Sequence, residues 1–333
     1  MRLPRLLVAT LGLLMLAATA GALLLYRFAA TPASTQAPVV VRIAAGEGFG
    51  VVAQRLERQG VVSHAGGLLL LATLRGEQQR IQAGEFSIPA AVTPLQLLEL
   101  LVRGRALNYP VTLVEGWTVR DLRRHLASVD HLNPMTAGWS DADIMAALGH
   151  PDLPAEGQFL PETYHHPRGI TDLELLARAK AALDEVLARE WAGRAADLAV
   201  ASPQEALILA SIVQKETGPG EAPLIAGVFH RRLRIGMRLQ ADPTVIYGLG
   251  GAFDGDLRRR DLRNDTPFNT YTRNGLPPTP IALAGEQAIH AAMHPADGEA
   301  LYFVARKDGR HHFSDNLASH QAAVRRYQHM GDE

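Results

Sequence analysis

The sequence predicts an α+β protein: an N-terminal membrane-spanning helix, small βα units, then a mixed α/β region around a buried helix. Three observations predict it. Leu6 to Tyr26 is an uncharged, largely apolar run, and a strand–glycine–helix pattern begins at Val41 and again at Val111. Ala206 to Val213 is apolar at nearly every position, too uniformly for a surface helix. With 333 residues, 47% of them apolar, and a net charge of −1, the chain can form two or three packed units and has no overall bias towards polyanions. It has no cysteine, which excludes disulfides and thiolate chemistry.

The N-terminal run lies between Arg5 and Arg27 and has the length, about 20 residues, of a membrane-spanning helix. Arg2 and Arg5 precede it, which favours a cytoplasmic N-terminus with the remainder across the membrane. Ala18-Thr19-Ala20 resembles a signal cleavage box, but the apolar run continues through Leu23-Leu24-Leu25 and favours an uncleaved anchor. Residues 1–30 therefore read as the anchor and 31–38 as a polar, proline-containing linker.

The strand–glycine–helix pattern is an internal repeat. Val41-Arg42-Ile43-Ala44-Ala45-Gly46 is followed ten residues after its glycine by Leu56, and Val111-Thr112-Leu113-Val114-Glu115-Gly116 ten residues after its own by Leu126. Phe49, Val52 and Leu56 recur as Val119, Leu122 and Leu126, at helical spacing. Between the copies, Gly84 to Pro89 reads as a strand, and Thr93-Pro94 opens a helix through Val102. A unit at 39–106 of this kind resembles a LysM module, whose family binds glycans containing N-acetylglucosamine. Packing units without a ligand fit the same pattern.

The buried helix opens with Ser202, Pro203 and Glu205, a predicted capping box with proline at the first helical position, and Gly218-Pro219-Gly220 ends it. Glu216 lies one and two turns beyond Ile212 and Leu209, on their face. Desolvation and the negative end of the helix dipole both raise the pKa of a carboxyl placed there, as a general acid requires near neutrality. A glutamate fanning into solvent as the helix frays fits the helix equally well.

In the next helix Leu224, Ile225, Val228 and Phe229 predict a core face. Arg231, Arg232, Arg234 and Arg238 lie opposite, as a solvated face or as a groove for an anionic polymer paired through carboxylates. Nucleic acid is not expected, because the anchor places this surface outside the cytoplasm and the rest of the chain is not basic. Near the C-terminus, Leu301 to Ala305 and His311 to Ser314 flank Asp308-Gly309 and predict a hairpin. The pairs His165-His166 and His311-His312 lack the i, i+4 spacing that lets two imidazoles share a metal, and no His-Glu-x-x-His occurs, so neither a metal nor a cofactor is expected. A serine nucleophile elbow is also absent.

Four blocks then stand out together: Glu156 to Tyr164, Leu207 to Thr217, Arg234 to Gly248, and Phe268 to Thr272 with Gly275 to Ile281. In this order they closely resemble the endolytic murein transglycosylases of the YceG/MltG family, over about Val39 to Tyr327. The family motif at the catalytic acid usually carries two glutamates. Here Gln214 takes the first position, which leaves Glu216 to carry the family's role. A common Glu-His pair in the tail is Ser319-His320 here, and His320 is given no catalytic part.

The resemblance implies a transglycosylase domain over 107–333, cleaving the bond between N-acetylmuramic acid and N-acetylglucosamine to leave 1,6-anhydro ends and limiting the length of nascent strands. One carboxyl group serves both proton transfers, because the attacking 6-hydroxyl belongs to the substrate. Gln240, Asp242, Thr244, Tyr247, Asn269, Tyr271 and Glu162 are the expected substrate-binding groups. Asp242 or Glu162 would be the second carboxylate of a hydrolytic muramidase, the first alternative. The others are a non-catalytic glycan-binding anchor and a membrane-tethered partner of peptidoglycan synthases with a vestigial site. The implied location is the inner membrane, single-pass, with the mass of the chain in the periplasm on peptidoglycan strands.

Overall fold

The N-terminal apolar run forms one long helix, α1 (Leu3–Ala30). The computed structural model describes residues 3–32, 35–44, 46–218 and 220–328; Arg2, residues 33–34 of the linker, Ala45 and Pro219 lie outside them. Within α1, Val8–Ala30 is 23 residues long with a mean hydropathy of 2.2, long and apolar enough to cross a membrane. Leu13, Leu16 and Leu24 stand exposed on it. The chain divides into two units, Met1–Tyr109 with His165–Arg168, and Pro110–Tyr164 with Gly169–Glu333.

In the first unit β1 (Val39–Ile43) pairs antiparallel with β2 (Gly84–Ile88), from Val39 opposite Ile88 to Ile43 opposite Gly84. Val41 and Ile43 of β1 turn inward with Phe86 and Ile88 of β2, the alternation of a half-covered sheet. Between the strands run α2 (Phe49–Arg58) and α3 (Ala65–Leu74), the latter not anticipated in the sequence, and α4 (Pro94–Arg103) follows β2. Val52, Leu56, Leu68, Leu97 and Leu101 complete this core. Thr93 and Gln96 close α4 with a reciprocal capping box.

β3 (Asn108–Thr112), α5 (Val119–Ala127), α6 (Asp141–Ala147) and β4 (Thr163–Pro167) repeat the order of β1, α2, α3 and β2, and β3 neighbours β4 in a two-stranded sheet. Gly46 and Gly116 hold φ of 75° and 78°, where a side chain would be strained, so both glycines are fixed by the turn. Leu122 and Leu126 are buried in the second unit as Val52 and Leu56 are in the first.

The rest of the second unit is mostly helical: α7 (Asp172–Gly193), α8 (Pro203–Glu216), α9 (Ala222–Arg234), α10 (Asp242–Leu249), α11 (Arg259–Arg263) and α12 (Glu286–Met293). Then β5 (Tyr302–Ala305) and β6 (His311–Ser314) form an antiparallel hairpin, and α13 (Leu317–Gln328) follows. α8 lies at the centre, buried at every position from Ala206 to Val213, and packs against α7, α9, α10 and α12. Its entry differs from the expected box. Ser202 accepts a hydrogen bond from the Glu205 amide, but the Glu205 carboxylate accepts from Ala201. On α9, Ile225, Val228 and Phe229 are buried as expected, whereas Leu224 is exposed.

Candidate active site

α8 delivers Glu216 as its last residue, and Thr217 turns the chain out of the helix. The side chain enters a cavity of about 450 Å³ whose walls come from four stretches of the second unit. Arg232 comes from α9, and Gln240 and Asp242 from the segment opening α10. Tyr271 follows from the next loop, and the hairpin and α13 close the cavity with Tyr302, Phe303, His311 and His320.

Burial is the first cause raising the Glu216 carboxyl from 4.5 to about 7, and the negative charge of Asp242 is the second. The Arg232 guanidinium opposes both. Its opposition is limited because the guanidinium is turned to main-chain oxygens: Nε donates to Leu301 at 2.7 Å and Nη1 to Leu239 at 2.5 Å. The carboxyl is therefore divided between its two protonation states near neutral pH, the condition for giving and later taking a proton.

Gln240 holds φ of 48°, a conformation that costs a non-glycine residue about 1–3 kcal/mol. Its amide donates to the Thr270 carbonyl at 3.1 Å, and this bond holds the turn that puts the side chain at the cavity. Asp242, the first residue of α10, accepts a hydrogen bond from the Tyr271 hydroxyl. His311 is fixed from behind, with Nδ1 2.9 Å from Glu221 Oε2 and its amide donating to both Glu221 oxygens. The His320 ring stacks on Tyr302 at 5.1 Å, and burial and the charge of Arg232 lower its pKa.

Of the residues expected from the sequence, Glu216, Gln240, Asp242 and Tyr271 come together here. Thr244 is fully buried, bonded to the Ala241 carbonyl and the Thr270 hydroxyl at 2.7 and 2.9 Å. Asn269 is also fully buried; its side chain donates to the carbonyls of Leu262 and Asn264 and accepts from the Tyr271 amide, so it places Tyr271 without reaching the cavity. Glu162 is exposed beside β4 and is not part of the cavity wall.

Tyr247 faces a different cavity, of about 660 Å³, where its hydroxyl donates to Glu156 at 3.0 Å. Burial raises Glu156 to about 7 as well. Of the four arginines read as a solvated face or an anionic groove, Arg231 and Arg232 are turned to the main chain instead. Arg231 and Arg232 both spend their guanidinium groups on carbonyls, of Ala296 and Ala300 and of Leu239 and Leu301, and tie α9 to the chain entering the hairpin.

The sequence pattern of the YceG-like family matches residues 41–326. The chain belongs to the YceG-like family. This YceG-like chain is 36% identical over 175 residues, 52% of its length, to the endolytic murein transglycosylase of Bacillus subtilis strain 168, covering 48% of that protein. It is 26% identical over 328 residues to the endolytic murein transglycosylase of Streptococcus pneumoniae, covering 88% of the chain and 59% of the relative. It thus spans about half to three-fifths of the curated relatives it matches. The crystal structure of a YceG-like protein from Listeria monocytogenes superposes with a TM-score of 0.52 at 26% identity, covering 86% of this chain and 99% of that one.

The sequence reading missed Arg232, Tyr302 and His311 as cavity residues. Arg232 was visible only as one of the three arginines in the last turn of α9, with nothing to set it apart from Arg231 and Arg234. The hairpin residues had no signal, because nothing local reports that β5 and β6 fold onto the end of α8.

Proposed function

We propose that the chain is an endolytic lytic transglycosylase of peptidoglycan in which Glu216 is the only proton-transferring group. The observation that carries this reading is the Glu216 carboxyl, raised to about 7 at the end of a buried helix and facing a polar cavity. The activity named for the two curated relatives supports it.

In the proposed reaction Glu216 donates its proton to the oxygen bridging N-acetylmuramic acid and N-acetylglucosamine as the glycosidic bond breaks. The carboxylate then accepts the proton of the muramic acid 6-hydroxyl, whose oxygen bonds to the anomeric carbon of the same sugar. Glu216 ends protonated as it began, the new end is a 1,6-anhydro sugar, and no water is consumed. Intramolecular attack has a high effective molarity, so positioning replaces a second catalytic carboxylate. Gln240, Asp242 and Tyr271 orient the sugar, and Asn269 acts through Tyr271.

The remaining assignments follow from the order of the units. Residues 1–30 anchor the chain in the inner membrane with its N-terminus in the cytoplasm, 31–38 link it, and 107–333 catalyse in the periplasm. Residues 39–106 form a LysM-like glycan-binding unit, a reading supported by the strand–helix–helix–strand order with one antiparallel sheet. Cleavage of strands near their site of synthesis would limit chain length alongside peptidoglycan synthases.

Asp242 in the same cavity favours one second reading, a hydrolytic muramidase with paired carboxylates. Mass spectrometry of products from purified glycan strands separates the two, since an anhydro end is lighter than a hydrolysed end by one water. Glu216→Gln keeps the shape of the side chain and removes its proton, so cleavage should fall by about 10²–10⁴-fold or more. Anhydro ends released at an undiminished rate by this variant would overturn the assignment.

A further inference from the structure

α7 and α12 bring three metal-ligating side chains to one point outside the Glu216 cavity. His290 stands on α12 and His294 caps its C-terminal end in a non-helical conformation. The two rings stack with centroids 4.2 Å apart and planes 23° apart. Glu190, near the end of α7, supplies the third group. Its Oε2 lies 2.7 Å from His290 Nδ1 and 3.5 Å from His294 Nε2. One donor atom from each of the three residues lies within 4.8 Å of the others.

The geometry points to a mononuclear site for a borderline divalent transition metal of the zinc(II) class, held by His290, His294 and Glu190. Ligand bonds of about 2.0–2.2 Å in tetrahedral array set neighbouring donor atoms about 3.3 Å apart. The observed 2.7 and 3.5 Å bracket that spacing for the Glu190 contacts, and metal binding requires the two imidazoles to rotate out of their stack so that both nitrogens converge. The donor set selects the metal, since imidazole with one carboxylate suits zinc and its neighbours, whereas calcium and magnesium require oxygen donors.

The carboxylate is itself held from outside. Arg189 Nε donates to Glu190 Oε1 at 3.1 Å and leaves Oε2 turned to the imidazoles, as second-shell partners do for metal-binding carboxylates. A cavity of about 660 Å³ bordered by Glu190 and His290 leaves the fourth position to water. On binding, the metal would take the place of the direct contact between His290 Nδ1 and Glu190 Oε2. It would cross-link α7 to α12, both of which pack on α8. The site does not depend on the proposed glycan chemistry.

Cobalt(II) titration of the purified, chelator-stripped full chain tests it. One equivalent should give the intense d–d absorption of a four- or five-coordinate ion, which zinc(II) displaces and magnesium does not. At about 100 times its dissociation constant, zinc should raise the melting temperature by about 5–10 °C in a unit of this size. His290→Gln and His294→Gln should each weaken zinc binding by at least about 10-fold, whereas His64→Gln, exposed in the first unit, should leave it unchanged. A weak six-coordinate spectrum, no d–d band, or zinc affinity unchanged in both variants would overturn the site. The cobalt spectrum of the unsubstituted protein decides the question even where a variant fails to fold.

Discussion

Tyr271 donates its phenolic hydrogen to Asp242 at the wall of the cavity that Glu216 enters. The bond fixes a negative charge close to the Glu216 carboxyl, and that charge is second only to burial in raising its pKa to about 7. Asp242→Asn should therefore lower the Glu216 pKa, although burial still holds it above 4.5. On the proposed reaction, activity declines as rising pH removes the Glu216 proton. The decline should begin at lower pH in the variant. Release of anhydro ends measured against pH checks this, and an unmoved alkaline limb would contradict it.

Glu216 also makes stability depend on pH. Its folded pKa lies above the unfolded value, so the protonated carboxyl is accommodated without penalty below about pH 4.5 and stability is lost as pH rises through about 7. Glu216→Gln stays neutral throughout. It should match the unsubstituted protein at about pH 4 and exceed it at about pH 8, by about 1–3 kcal/mol after allowance for partial exposure. Denaturant melts at the two pH values measure the difference.

Gly157→Ala should be among the more destabilising single-methyl changes in the second unit. Gly157 holds φ of 77°, and a Cβ there would lie 2.4 Å from the Pro280 Cβ, a ring atom that cannot swing aside. Backbone strain and overpacking together should cost about 2–4 kcal/mol. The urea midpoint should fall with an unchanged slope.

Gln214→Glu should also destabilise. The Gln214 amide donates to Glu115 at 3.2 Å and accepts from the Gly285 amide at 3.0 Å. Glutamate keeps the second bond, loses the first and sets two carboxylates side by side. Glu115 is exposed, so the cost should be about 1 kcal/mol and should shrink with added salt. Adding Glu115→Gln should restore most of it, as a double-mutant cycle would show.

The elements that declare themselves locally were legible in the sequence: the end signals of α8, the two strand–glycine–helix copies and the turn around Gly309. The assignment of polar residues to the cavity was only partly legible. Asp242 and Tyr247 both lie on α10, but five residues turn a helix through about 140° beyond a full turn, so the two face different cavities. Thr244 and Asn269 are as polar as Gln240, yet main-chain and side-chain partners brought close by the fold consume their hydrogen bonds. Arg232 was read with its neighbours as a charged face, and it is buried because carbonyls just past the end of α9, at Leu239, and far along the chain, at Leu301, offset its cost. The His290 and His294 spacing was present in the sequence, but only the fold brings Glu190 to it.

Gly218 lies so close to the hairpin turn that a Cβ on it would be 2.5 Å from the Gly309 carbonyl. The hairpin and α13, which wall the cavity, are also the last parts of the described chain to be synthesised. Tyr302, Phe303 and His311 of the hairpin and His320 of α13 therefore join the cavity wall after the Glu216 helix has been made. On the proposed function, the site is complete only once these last-made elements of the described chain have folded onto the rest of the unit.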